Sequence, residues 1–135
     1  MVVMVEVVQF SRDHLVGVLA LCEAESWPTY PADPARAETA LRAPGTLTLV
    51  AVDAGAVVGF AHALTDGLRL YLAEIVTAAQ RRREGIARRL IGELFERSGV
   101  ARLDLLTDTA DAFYATFPHR RFSGFRLYSP SGGQS

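Results

Sequence analysis

The chain has 135 residues, of which 50% are hydrophobic and 21% charged, with a formal net charge of −1. That length fits one domain whose core needs no covalent staples. The apolar content and near-balanced charge exclude a disordered chain, the single cysteine (Cys22) excludes a disulfide framework or a cysteine-rich zinc module, and no stretch reaches the roughly 18 apolar residues of a membrane span.

Residues 2–9 are a β-branched run broken by Glu6 and without a basic start, which reads as a strand and not a signal peptide. Ser11 offers an N-cap, and Leu15, Val18, Leu19 and Cys22 recur at helical spacing. Residues 26–32 (SWPTYPA) carry two prolines and two large aromatics and read as a loop. Asp33 followed by Pro34 opens a short helix that turns Ala37, Ala40 and Leu41 inward and stops at Pro44-Gly45. Three strands come next: 46–52, a turn at 53–55, 57–64, a two-residue hairpin signal at Asp66-Gly67, and 68–77. The period then changes. Ile86, Ala87, Leu90, Ile91, Leu94 and Phe95 make one stripe of a helix over 85–97, with Arg89, Glu93 and Arg97 spaced as i,i+4 ion pairs on its wet face. Ser98-Gly99 stops it, 101–106 read as a further strand, and Asp108 caps a short helix over 109–116. Residues 121–128 read as an irregular strand or a hairpin turning at Ser123-Gly124. With 129–135 as a flexible tail, one domain spans 1–128. This order predicts a mixed sheet with helices on both faces, an α/β or α+β domain.

The stretch richest in chemistry is 74–90, where a strand ends, an arginine-rich loop carries one glycine, and a helix starts. The amides of a helix's first turn lack intrahelical partners, and the dipole adds about half a positive charge there. Gly85 and the small Ala87 let backbone approach an anion, and Arg81, Arg82 and Arg83 add donors, so a pyrophosphate is the natural ligand. A P-loop is excluded, because all 14 basic residues are Arg and none is Lys. A dinucleotide fingerprint needs three glycines where this loop has one.

Arg82-Arg83-Glu84-Gly85-Ile86-Ala87 fits the pattern Gln/Arg-x-x-Gly-x-Gly/Ala, and Thr107-x-x-Ala110-x-x-Phe113-Tyr114 is similar to Asn-x-x-Ala-x-x-Leu-Tyr. On these two stretches, and on element order over nearly the whole chain, the sequence resembles the GCN5-related N-acetyltransferase (GNAT) superfamily. The resemblance implies a mainly antiparallel sheet with a V-shaped split between its fourth and fifth strands. It implies acetyl-CoA as co-substrate, its pyrophosphate held by residues 82–87 and its pantetheine arm paired with backbone at Ile75, Val76 and Thr77. It implies Tyr114 as general acid to the departing thiolate and Glu74 as the carboxylate that meets the acceptor amine, directly or through water. Trp27 and Tyr30 lie where the family shapes its acceptor pocket. The sequence departs from the family at Ala79 (often proline), Thr107 (usually Asn) and Ala87 (the less common small residue).

Taken by themselves, several of these residues have plainer readings. Glu74, in an apolar strand, either lines a cavity or meets an arginine. Trp27 packs in a core or lines a pocket, and His62 and His119 read as satisfied structural histidines. No metal spacing links the histidines with Cys22. The expectation is a cytoplasmic N-acyltransferase acting on a primary amine, with no membrane or nucleic-acid partner. The alternative is a non-catalytic CoA-binding regulatory or partner module. The short C-terminal stretch leaves the acceptor side either trimmed or completed by a second copy in a homodimer.

Overall fold

Alternation in the strands puts apolar side chains on both faces of the sheet, so both faces must be covered, and helices cover them. The computed structural model describes residues 4–131. Five strands lie side by side in chain order: β1 (Glu6–Gln9), β2 (Thr46–Asp53), β3 (Ala56–Thr65), β4 (Leu70–Thr77) and β5 (Leu103–Asp104). The first four pair antiparallel, and β5 pairs parallel to β4. The helices are α1 (Leu15–Ala24), α2 (Thr29–Ala32), α3 (Pro34–Leu41), α4 (Ile86–Ser98) and α5 (Asp111–Tyr114). This is the expected mixed sheet, flanked by helices and split between β4 and β5.

The chain divides into two compact units, one reaching Leu105 and the other starting at Leu106. In the first, Leu49, Ala51, Ala61, Ala63, Leu70 and Leu72 face Ile86, Leu90 and Leu94 of α4. On the other face, Val50, Phe60 and Val76 pack with Val18 and Cys22 of α1 and Leu41 of α3. The face under α4 is lined by small residues, and a Cβ on Gly59 would lie 3.0 Å from the Ile86 side chain and from the Val76 carbonyl. Cys22 is a core residue, 1% exposed.

Local chemistry sets most boundaries where the sequence put them. Asp33 Oδ1 accepts from the Arg36 amide at 3.2 Å, the N-cap contact that starts α3. Ala54 and Gly55, both at positive φ (51° and 83°), make the tight turn from β2 to β3. Gly99 at φ 69° ends α4.

Elsewhere the structure corrects the reading. Thr65 pairs with Leu70, so the β3–β4 connection is four residues and not two; Asp66 Oδ1 holds it by accepting from the amides of Leu68 (2.9 Å) and Arg69 (3.1 Å). Residues 29–32 form a single helical turn within the expected loop, which Pro31 tolerates because first-turn amides need no partner. Arg89 does not pair with Glu93: it donates to the Val5 carbonyl, as Arg97 does to the Val7 carbonyl at 2.6 Å, so α4 clamps the outer strand. Only the Arg97–Glu93 pair forms, at 2.9 Å. The strand expected over 101–106 is the two residues of β5.

β1 begins at Glu6, and residues 2 and 3 of the expected strand lie outside the described residues. In the second unit, α5 follows Ala110 with no side-chain cap, so Asp108 does not cap it; Thr107 Oγ1 accepts from the Ala110 amide at 3.0 Å in the turn before it. Residues 121–128 form neither strand nor hairpin. Of the expected tail, residues 132–135 lie outside the described residues.

Two helix glycines give a test of opposite signs. A Cβ on Gly17 of α1 would lie 2.6 Å from Val57 Cβ, whereas one on Gly92 of α4 would meet nothing within 4 Å. Gly92→Ala should stabilise by about 0.5–1 kcal/mol, the usual helix gain. Gly17→Ala should lose that gain and destabilise by roughly 1–3 kcal/mol through overpacking. Urea denaturation of the two variants measures both.

Candidate active site

The turn before α4 is shaped by two left-handed residues, Arg83 (φ 70°) and Gly85 (φ 80°). The Arg89 amide donates to the Gly85 carbonyl at 3.0 Å, which closes the first turn of α4. The N–H groups of Arg83, Glu84, Gly85, Ile86 and Ala87 donate to nothing among the described residues. Successive free amides in such a turn form a concave anion nest, reinforced by the helix dipole. Gly85 faces open space: a Cβ there would touch nothing within 4 Å.

The three arginines have different roles. Arg81 is held by Asp53 (2.9 Å) and Glu84 (2.9 Å), so it braces the turn and is not a spare donor for an anion. Arg82 reaches back to Glu25, at the end of α1, at 2.7 Å. That pair is exposed on the arginine side, and such pairs contribute only about 0–1 kcal/mol, so a phosphate can compete for the guanidinium. Arg83 forms no ion pair among the described residues.

Just upstream lies an open strand edge. β5 pairs with β4 only at Leu70↔Leu103 and Tyr71↔Asp104. Beyond Tyr71 no strand among the described residues pairs with that side of β4, so its amides and carbonyls alongside Ile75, Val76 and Thr77 can take an extended ligand as an added strand. Val76 itself is core, 5% exposed; its backbone, not its side chain, is the available part.

At the start of this edge β4 bulges. Leu72 opposes Ala63 and Glu74 opposes His62, leaving Ala73 as the extra residue. The bulge reverses the side-chain phase. Leu70 and Leu72 point toward α4, whereas Glu74 and Val76 point toward α1 and α2. There Glu74 lies beside the Tyr30 hydroxyl. Burial pushes the Glu74 carboxyl above its ordinary range, and the nearby hydroxyl only partly opposes this. Burial and the neighbouring Glu74 raise the Tyr30 phenol and push the Cys22 thiol up to about 12. Glu74 is thus half-buried beside Tyr30, and no arginine among the described residues pairs with it.

His62 sits beside Glu74 across the strands, buried at 5% exposure, with its pKa pushed down by burial. Thr48 of β2 holds it, Oγ1 to Nδ1 at 2.7 Å. Trp27 is 38% exposed, at the rim of an apolar groove with Pro28, Pro31 and Ala32, so it is not a packed-core residue. In the second unit, Tyr114 packs its ring edge-on to Phe113 at 5.0 Å, and burial raises its phenol above the ordinary value. His119 is exposed and bonds only the Phe117 carbonyl, at 2.8 Å. The motifs did not point to Thr48 or Glu25. A threonine at an inward-facing strand position was the available signal for Thr48; for Glu25 the sequence carries none.

A family model described as an acetyltransferase (GNAT) domain matches residues 44–117. No curated protein matches the sequence. Solved structures share the fold. The aminoglycoside N-acetyltransferase AAC(6')-Iy, in complex with a CoA bisubstrate analogue, superposes with a TM-score of 0.70 at 21% identity over 93% of this chain and 99% of its own. A ribosomal-protein-alanine N-acetyltransferase from Brucella melitensis biovar Abortus 2308 gives 0.74 at 19% identity over 93% and 99%. A protein from Bacillus halodurans C-125 described as a transcriptional regulator gives 0.72 at 14% identity over 93% and 99%.

The raised pKa of Glu74 makes a stability prediction. In the folded state its carboxyl holds a proton more tightly than in the unfolded chain, so stability falls as pH rises from the ordinary value of 4.5 through the folded pKa. Glu74→Gln removes that loss. The variant should be more stable than the parent at pH 7, and its advantage should shrink as the pH falls toward 4. Thermal melts across that range measure it, and an advantage that does not vary with pH would contradict the buried-carboxyl geometry.

Proposed function

We propose, from the premise that the chain belongs to the acetyltransferase (GNAT) domain family, that the protein is an N-acyltransferase carrying an acetyl group from acetyl-CoA to a primary amine. The observation that carries this reading is a sequence of three features along residues 74–87: a half-buried carboxyl at a bulge, an unpaired strand edge, and an anion nest at a helix N-terminus. The nest suits a pyrophosphate, with Arg82 and Arg83 at hand. The edge suits the amides of a pantetheine arm, and the bulged backbone offers N–H groups that can polarise a thioester carbonyl. Similar folds have been solved with CoA or a CoA bisubstrate analogue.

Holding donor and acceptor on one strand supplies rate through proximity. Glu74 takes a proton from the acceptor ammonium, directly or through water. Its raised pKa brings it closer to a base matched to neutral pH. Tyr30, beside Glu74, and Trp27, three residues before it, are assigned to the acceptor side. Tyr114 is assigned the proton for the departing thiolate, and its phenol, raised by burial, is protonated at neutral pH as a donor must be.

Two experiments test this. Acetyl-CoA at a hundredfold excess over Kd should stabilise the protein by about 2.7 kcal/mol. Gly85→Asp should abolish both that gain and the calorimetric binding, because it places a carboxylate in the nest. Unchanged affinity in the folded variant would remove the pyrophosphate assignment. In a screen of amines read by CoA release, Tyr114→Phe should lower kcat by about one to three orders of magnitude with acetyl-CoA affinity intact. A variant with the parent's kcat returns Tyr114 to a packing role, and binding without turnover on any amine favours the non-catalytic module.

A further inference from the structure

Thr48 Oγ1 lies 2.8 Å from the Leu41 carbonyl and 2.7 Å from His62 Nδ1. A hydroxyl has one proton to give, and a carbonyl oxygen only accepts. The Thr48 proton therefore goes to Leu41, and the contact with His62 must be made by an Nδ1–H that donates to Thr48. This fixes the ring: Nδ1 carries the hydrogen, and Nε2 keeps a lone pair. Nε2 has no protein partner, and no side-chain nitrogen or oxygen sealed from solvent among the described residues lacks one, so Nε2 remains within reach of water.

His62 is also directly opposite Glu74. Thr48, His62 and Glu74 form a row across β2, β3 and β4 on the face that carries α1, α2 and α3. Opposed strand residues have Cβ atoms about 5 Å apart. No hydrogen bond joins the imidazole to the carboxyl, so a proton passing between them needs a bridging water. Glu74 of β4 is the titratable group opposite His62; Tyr30 from α2 and Cys22 from α1 lie near Glu74, and Thr48 of β2, bonded to the Leu41 carbonyl of α3, contacts the imidazole itself.

We propose that His62 is the residue that discharges Glu74, its Nε2 taking through a bridging water the proton that Glu74 receives from the acceptor ammonium. The proposal rests on the acyltransferase reading above. An ammonium that becomes an amide loses two protons. The first breaks from nitrogen and binds the Glu74 carboxylate, freeing the lone pair. The amine attacks the thioester carbon, the new C–N bond forms, the C–S bond breaks, and sulfur leaves with its electron pair. The second nitrogen proton is matched by the one the sulfur takes up as a thiol. One proton is left on Glu74, in a site that holds protons tightly, and it must leave before the next turnover. It passes to Nε2, forms a transient imidazolium whose Nδ1–H still donates to Thr48, and goes on to water. His62 is thus a positioning and proton-accepting residue that acts through Glu74.

The first measurement needs no turnover. In protein labelled with 15N-histidine, His62 should show the neutral Nδ1–H form, with Nε2 as the bare nitrogen. Its titration should lie below the ordinary 6.5, as its burial requires. An Nε2–H tautomer, or a titration at or above 6.5, overturns the proposal. The second uses His62→Asn, whose amide can keep the donor to Thr48 while losing Nε2. Its kcat should fall by about ten- to a hundredfold, with acetyl-CoA affinity retained and the loss recovered as pH rises. A kcat and pH profile equal to the parent's overturn the proposal while the acyltransferase reading stands. Absence of CoA release with any amine in the parent overturns both.

Discussion

One extra residue, Ala73, reverses the side-chain phase of β4 between Leu72 and Glu74. Without it, strict alternation would send Glu74 the way of Leu70 and Leu72, into the apolar layer beneath α4, where a carboxylate has no partner. With it, Glu74 faces α2 and the Tyr30 hydroxyl. The same stretch of β4 is where pairing with β5 ends. A bulge twists and bends its strand, so the reversal of phase and the opening of the edge fall together. The site depends on this irregularity: the carboxyl, the free edge and the turn into α4 are ordered along one strand whose far side is tied to β3.

The turn into α4 is fixed by a different balance. Two left-handed residues and a row of free amides are tolerable at an exposed helix start, because water satisfies the amides until a ligand does. The strain at Arg83, a non-glycine at φ 70°, is held by the Arg81 pairs to Asp53 and Glu84, which anchor the turn to the β2–β3 end of the sheet. Arg82 joins the turn to the end of α1 through Glu25. The phosphate-type site and the segment that begins at Ser26 are therefore tied by one ion pair, and an anion in the nest would compete with Glu25 for the same guanidinium.

The titratable groups on the α1–α2 face hold protons rather than charge. Cys22, Tyr30 and Glu74 all have burial raising their pKa values, and burial lowers that of His62. Each shift favours the neutral form, as the cost of an uncompensated charge away from water requires. On the acyltransferase reading proposed above, an ammonium beside Glu74 would favour the carboxylate, so the substrate's own charge would prepare the base.

Much of this was legible in the sequence, because it follows from local rules. The caps at Asp33 and Gly99, the inward stripe of α4, the tight turn at Ala54-Gly55 and the glycine that starts the anion turn are set by neighbouring residues, and periodicity decides which faces are buried. Even Glu74 stood out as a charge in an apolar strand. Its environment could not be read there, because a bulge is set by the register between two strands distant in sequence. For the same reason nothing local showed that Thr48 would fix the His62 tautomer, that Arg82 would reach Glu25, or that Arg89 would serve the Val5 carbonyl instead of Glu93. The sequence by itself determined most of the elements, their order and the glycine turn before α4. Tertiary structure decided which face Glu74 occupies and what surrounds it, because burial, register and the choice among hydrogen-bond partners depend on residues brought together only when the sheet closes over its helices.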